Sequence, residues 1–116
     1  MGMVNEAFRV VITFDITVNG QNSIYSQITD ILGENGFEKE TESGKDFPEN
    51  IYTGLTVGKI EKRSDGSFST PELQKVSSEI CDNVIKLIAN FFSQKRIKHK
   101  IFVHVSRAAS SATKLL

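Results

Sequence analysis

One segment of the chain constrains the fold more than any other, because its side chains alternate between two sides without a break. Residues 7–17 read AFRVVITFDIT, with large apolar residues at every second position and a mixture of Arg, Val, Thr and Asp between them. A period of two that is rich in β-branched and aromatic residues predicts a strand with one buried face. The mixed second side predicts a sheet that helices cover on one face only. The apolar side consists of Phe8, Val10, Ile12, Phe14 and Ile16.

Five further segments carry recognisable patterns, and their order predicts the architecture. Thr70-Pro71-Glu72 predicts the start of the longest helix, with the Thr70 hydroxyl as its cap. The order strand, helix, strand, strand, helix, strand predicts an α+β fold, a ferredoxin-like βαββαβ sandwich. Its four-stranded antiparallel sheet has the order 4-1-3-2, with both helices on one face. The segments are a helix over about 23–35 that ends before Gly36, a polar strand FEKET from Phe37, a strand IYTGLTVGKIE from Ile51 that contains two glycines, a helix over about 70–95 and a strand over 99–106.

Length and composition limit the class of protein. With 116 residues the chain makes a single domain over 1–116, with an ordered core at about 7–106 and a C-terminal tail that frays. A formal net charge of +0 at 24% charged residues argues against a disordered acidic chain and a strongly basic nucleic-acid binder. The start of the chain shows no secretory leader, and the longest apolar stretch is too short to cross a bilayer. We therefore expect a cytoplasmic protein with no membrane partner.

Charge is balanced overall but separated locally. Residues 30–49 hold seven acids and two bases, whereas residues 95–107 hold five bases and no acid. In the predicted strand order these two segments lie toward opposite edges of the sheet. A basic run beside an exposed aromatic side chain is typical of phosphate contact combined with base stacking. The alternative is a solvated helix end whose bases complement the helix dipole. The candidate nucleic-acid-binding residues are Lys95, Arg96, Lys98, Lys100 and Phe102.

Asp15 is the candidate catalytic and metal-binding residue. It ends the first strand on the mixed side, where we expect it to meet solvent or a second subunit, with residues 98–101 of the last strand nearby. A carboxylate there could bind a divalent cation such as Mg²⁺ or Mn²⁺ through its oxygens. Two Asp15 side chains from facing subunits could share a metal of the kind that phosphodiester cleavage uses. The alternative is a carboxylate that caps a turn or pairs with a neighbouring lysine, because hard cations require several oxygen ligands.

Three short motifs carry a resemblance to a known family. The first strand closes on the aromatic-acid pair Phe14-Asp15, the first helix ends in NGF at 35–37, and FPEN at 47–50 precedes the third strand. In these features and in element order over about 7–106, the chain resembles the GhoS-type antitoxin endoribonucleases. Those proteins are related to the CRISPR-associated small nuclease subunit and to the VapD toxins. The resemblance implies a homodimer of ferredoxin-like fold that binds RNA and, in some members, cleaves it with a metal-dependent Asp; Asp15 is the position that matches.

Two functional hypotheses follow. The first is an RNA-binding protein of the toxin–antitoxin type, with single-stranded RNA as its partner, either with or without metal-dependent endoribonuclease activity. The second is a non-catalytic homodimeric module for protein interaction or small-ligand regulation, which uses its open sheet face or its edge strands. His104 on that face is interpreted as an interface or surface histidine, since no nucleophile accompanies it.

Overall fold

The computed structural model describes residues 2–17, 23–38 and 51–110 of the chain. The turns that we predicted at 18–22 and 43–50 lie outside these ranges, as do most of FEKET and the end of the tail. Within them, the elements follow the predicted order. They are β1 (Gly2–Ile16), α1 (Ile24–Glu34), β2 (Phe37–Glu38), β3 (Ile51–Lys62), α2 (Thr70–Gln94), β4 (His99–Arg107) and a short 3₁₀ helix (Ala108–Ser110).

The four strands form one antiparallel sheet with the order β2-β3-β1-β4, which confirms the ferredoxin-like α+β prediction. β1 pairs with β3 from Gly2↔Lys62 to Thr13↔Ile51, and with β4 from Phe8↔Arg107 to Ile16↔His99. β1 begins five residues earlier than the alternating segment predicts. Residues 2–6 have no alternating hydrophobic pattern, but their backbone pairs with residues 58–62 of β3 and so lengthens the strand.

One face of the sheet forms the core with the two helices. Phe8, Val10 and Ile12 have no exposed surface and Phe14 is 3% exposed, as the alternation predicts. Full burial of a large apolar side chain contributes roughly 1.5–3 kcal/mol, so this side of β1 is a main source of fold stability. The helices contribute Ile24, Ile28 and Leu32 from α1 and Val84, Ile88 and Phe92 from α2.

The two glycines of β3 lie where other elements approach closely. A Cβ on Gly54 would collide with the carbonyl oxygen of Gly36, which precedes β2. A Cβ on Gly58 would lie 2.6 Å from Cγ1 of Val76 on α2. Both positions therefore need glycine so that β2 and α2 can pack against β3.

The helix ends agree with the predictions except at one cap. The Ser69 hydroxyl, rather than that of Thr70, accepts a hydrogen bond from the backbone N–H of Glu72 at 3.4 Å, so the α2 cap lies one residue earlier than predicted. α1 ends as predicted, since Gly36 follows it with a left-handed φ of 87°. No helix within the described residues is long and apolar enough to cross a membrane.

Candidate functional site: the open sheet face and its basic end

The sheet face opposite the helices carries apolar residues of its own. Leu55 and Val57 point to this side of β3 and are 53% and 63% exposed. The register pairs Val57 with Ala7 and Leu55 with Arg9 on β1. The two central strands thus share a surface of aliphatic and β-branched side chains, which we call the central stripe. Its members are Ala7, Val11, Thr13, Ile51, Thr53, Leu55 and Val57.

A single row of residues crosses this face from one edge of the sheet to the other. Glu38 on β2 pairs with Thr53 on β3, Thr53 pairs with Val11 on β1, and Val11 pairs with His104 on β4. Glu38 and His104 are both exposed. The row therefore has a carboxylate at one end, an imidazole at the other and β-branched residues between them.

The two edges of the sheet differ in charge, as the sequence predicts. Residues 23–38, which form α1 and β2, contain three acids (Asp30, Glu34, Glu38) and no Lys or Arg. Residues 95–107, which form β4 and the turn before it, contain five Lys or Arg residues and no acid. α1 packs beside β2 at one edge, and α2 packs beside β4 at the other. We call these the acidic edge and the basic edge.

Three of the predicted site residues come together at the end of β1. Asp15 pairs with Lys100, and Thr13 pairs with Phe102, across the β1–β4 ladder. A shallow depression of about 220 Å³ is lined by these four residues together with Phe14 and Ile101. Asp15 is exposed and Phe102 is 59% exposed, so both reach solvent on the open face. The Asp15–Lys100 neighbourhood that we predicted is confirmed, and such opposite-charge neighbours contribute roughly 0.2–1 kcal/mol.

Among the described residues of one copy, the donor set around Asp15 does not fit a divalent cation. Calcium takes six to eight oxygen ligands and magnesium close to six. The depression offers one carboxylate, and its cross-strand neighbour Lys100 is a cation. No group of three or more His, Cys, Asp or Glu side chains within 2–17, 23–38 and 51–110 is placed to bind a metal ion.

The other predicted basic residues lie in the turn between α2 and β4. Lys95 caps α2, with its Nζ 6.0 Å from the centre of the Phe91 ring. Arg96 takes a left-handed φ of 57° that reverses the chain. Lys98 is exposed, and its carbonyl oxygen accepts a hydrogen bond from the N–H of Thr17 at 3.2 Å. The predicted cluster is thus divided, with Lys100 and Phe102 on the open face and the other three residues in the turn.

Arg9 belongs to the open face and was not singled out from the sequence. It is half-buried between Leu55 on β3 and Ser106 on β4. Its Nε is shielded from solvent and has no hydrogen-bond partner among the described residues. The alternation places Arg9 on the mixed side of β1, but its neighbours on β3 and β4 follow only from the register.

Cys81 on α2 shows no sign of a reactive site. It is half-buried, and its thiol lies 3.7 Å from the carbonyl oxygen of Val103. Burial, with a smaller effect from the negative charge of Asp82, raises the pKa of the thiol above its usual value. Because the thiolate is the nucleophilic form, this cysteine is poorly suited to covalent chemistry.

Comparisons with protein-family models, with curated proteins and with solved structures find no match to this chain. The similarity to the GhoS-type antitoxins consequently stays a prediction from short motifs.

Proposed function

We propose that this protein is a non-catalytic interaction module that forms a homodimer through its open sheet face. The observation that carries the proposal is the exposure of Leu55 and Val57 in the central stripe, which hold more than half of their surface in solvent, beside half-buried Ala7, Val11, Thr13 and Ile51 and a buried Thr53. Contiguous exposed apolar surface is typical of protein–protein contact sites. Removing such surface from water contributes about 25 cal/mol per Å², which gives the stripe a driving force for association.

The composition of the face favours protein over nucleic acid as its main partner. Sheets that bind single-stranded nucleic acid stack bases on aromatic side chains. Within the described residues, Phe102 is the only aromatic side chain on the open face, and it lies on an edge strand. The two central strands present aliphatic and β-branched side chains instead, which pack well against a second sheet.

Size and charge favour a second copy of this chain as the occupant. From Met3 to Asp15 the face is about 40 Å long, and it is about 14 Å wide where β4 joins β1 and β3, from Phe8 onward. Its area of at most about 560 Å² is below the roughly 800 Å² per partner of a standard interface, which corresponds to a dimer of modest affinity. The formal net charge of +0 means that two copies do not repel one another overall.

The test is the self-association of a stripe variant. We expect wild-type protein to sediment as a dimer, and Leu55→Thr with Val57→Thr to weaken the dimer at least about tenfold, because apolar contacts at an interface centre dominate affinity. Threonine keeps the strand propensity of both positions. Ile85→Thr is the matched control, since Ile85 is an exposed apolar residue on α2. The proposal fails if wild type is monomeric at every concentration or if the stripe variant dimerises as well as the control.

RNA binding at the basic end is a second candidate, and the exposure of Phe102 beside Lys100 supports it. A labelled mixed-sequence single-stranded RNA provides the probe, at low and moderate salt. If RNA binds here, Lys98→Glu with Lys100→Glu abolishes its retention, whereas Lys59→Glu at the far end of β3 does not. Equal retention by both variants would exclude the basic end as the binding site.

The same assay separates binding from cleavage. With Mg²⁺, Mn²⁺ or EDTA present, metal-dependent cleavage that disappears in Asp15→Asn would support the endoribonuclease prediction. It would also require ligands beyond the single carboxylate that the described residues place in the depression. Cleavage that persists in Asp15→Asn would contradict the catalytic role predicted for Asp15, and a contaminating nuclease gives the same result.

A further inference from the structure

Three hydrogen-bond donors lie together on the open face, where β1 and β4 pair. Arg9 on β1 is directly opposite Ser106 on β4, and His104 lies two residues from Ser106 on the same side of that strand. We infer that these three residues form a binding site for a phosphate group, of the kind that inorganic phosphate or a phosphate monoester carries. The inference goes beyond the proposed homodimer and does not depend on it.

The side chain of Arg9 is the reason to expect an anion here. It is half-buried, and its Nε is shielded from solvent without a hydrogen-bond partner among the described residues. A desolvated donor that lacks a partner costs free energy, and the cost is larger for a charged group. The two Nη nitrogens are not shielded in this way, so they are available to a ligand. An anion bound to them would offset part of the cost through charge-assisted hydrogen bonds.

Within the described residues, no group of the chain neutralises Arg9. The closest acid on the open face is Glu38, two strands and one register row away, which is roughly 12 Å from the strand spacing and rise. Arg107 differs, although its Nε is also shielded, because its Cζ lies 5.3 Å from the centre of the Phe68 ring. An aromatic ring face stabilises a cation at this distance. The neighbours of Arg9 on β1 and β3 are all uncharged: Ala7, Val11, Thr53, Leu55 and Val57.

Ser106 and His104 are close enough to share one anion with Arg9. Directly opposite residues of an antiparallel pair have Cβ atoms about 5 Å apart, and diagonal neighbours are about 7–8 Å apart. Ser106 is the opposite neighbour of Arg9 and His104 is a diagonal one. The Ser106 hydroxyl and the His104 imidazole have no hydrogen-bond partner among the described residues. Both groups can donate, so the cluster offers three donors of different types around one point of the face.

This donor set favours a phosphate monoester over two other common oxyanions. A monoester has three terminal oxygens and a charge of about −1.5 to −2 at pH 7, so each donor of the cluster can bind a separate oxygen. A carboxylate has only two oxygens. A phosphodiester of a nucleic-acid backbone has two terminal oxygens and a single negative charge.

The test is a titration of isotope-labelled protein with inorganic phosphate, followed by NMR at protein concentrations too low for self-association. We expect saturable shifts at residues 9, 104 and 106 that sodium chloride of equal ionic strength does not produce. Arg9→Gln should weaken phosphate binding at least about tenfold, because it removes the charged donor. Lys59→Gln is the matched control, since it removes an exposed cation of the same face that lies opposite Asn5 and away from the cluster, and it should bind phosphate as wild type does.

Two further variants and two esters sharpen the test. Ser106→Ala and His104→Ala should each weaken binding about threefold, and they keep the test decisive if Arg9→Gln does not fold. Methyl phosphate, a monoester, should bind more tightly than dimethyl phosphate, a diester. Equal or tighter binding of the diester would overturn the assignment of a monoester.

The site itself is disproved if the phosphate shifts do not saturate or match those from sodium chloride. It is also disproved if folded Arg9→Gln, or Ser106→Ala and His104→Ala together, bind phosphate as tightly as Lys59→Gln. A failure of the proposed homodimer is a separate result, because it shows as monomeric wild-type protein in sedimentation.

Discussion

Both faces of the sheet carry apolar side chains, but those side chains are buried on one face and partly exposed on the other. On β1, Ile12 is completely buried under the helices, while Val11 beside it on the other face is only half-buried. On β3, Tyr52 faces the helices with no exposed surface, while Leu55 on the open face is 53% exposed. The helices explain the difference, since both lie on one side. The comparison indicates that apolar residues on the covered face stabilise the fold, and that those on the open face are available for assembly.

A matched pair of truncations on β1 should show the largest difference in stability between the two faces. Ile12→Ala should lower the free energy of unfolding by about 3 kcal/mol, because a cavity opens in a packed core. Val11→Ala should lower it by less than about 1 kcal/mol, since its side chain is half in solvent. Urea unfolding at concentrations too low for dimerisation measures both. Equal losses would contradict the assignment of the two faces.

A second pair of variants tests the close approach on the covered side. Gly54→Ala should destabilise the protein by about 1–3 kcal/mol, because its Cβ would collide with the backbone at Gly36 and lie 2.7 Å from the Phe37 ring. Gly33→Ala should instead stabilise it by up to about 1 kcal/mol, since this helical position has no atom within 4 Å of the added Cβ. Thermal unfolding should show melting temperatures that move in opposite directions. A Gly54→Ala variant as stable as wild type would show that β2 does not pack as described.

A smaller effect is expected from the polar contact inside the covered face. The Tyr52 hydroxyl lies 2.8 Å from Oγ1 of Thr29, which itself donates to the carbonyl of Tyr25 at 2.7 Å. Tyr52→Phe should therefore cost about 1 kcal/mol of unfolding free energy. A double-mutant cycle with Thr29→Val measures the coupling between the two hydroxyls. Additive losses would show that they do not interact.

The sequence predicted the element order, the end of α1 at Gly36 and the proximity of Asp15 to the start of β4. It could not predict which side of β3 is covered, because both sides of that strand combine apolar residues with small ones. Only the register with β1 shows that Tyr52 faces inward and that Leu55 and Val57 face outward.

The sequence also predicted part of the candidate site. Asp15, Lys100 and Phe102 share one face because alternation and antiparallel pairing follow from the pattern. Lys95 and Arg96 were grouped with these three residues because they are close in sequence. The structure instead places both in the turn that follows α2. The row from Glu38 to His104 was beyond prediction, because it depends on three strand registers at once.

Whether a second copy covers the open face is tested most directly by isotope-filtered NMR on an equal mixture of labelled and unlabelled protein. The proposed homodimer predicts intermolecular contacts from the Leu55 and Val57 methyl groups to the central stripe of the second copy, with none from Ile85 on α2. Intermolecular contacts from Ile85 alone, or none from any methyl group at concentrations where the wild-type protein is fully folded, would contradict it.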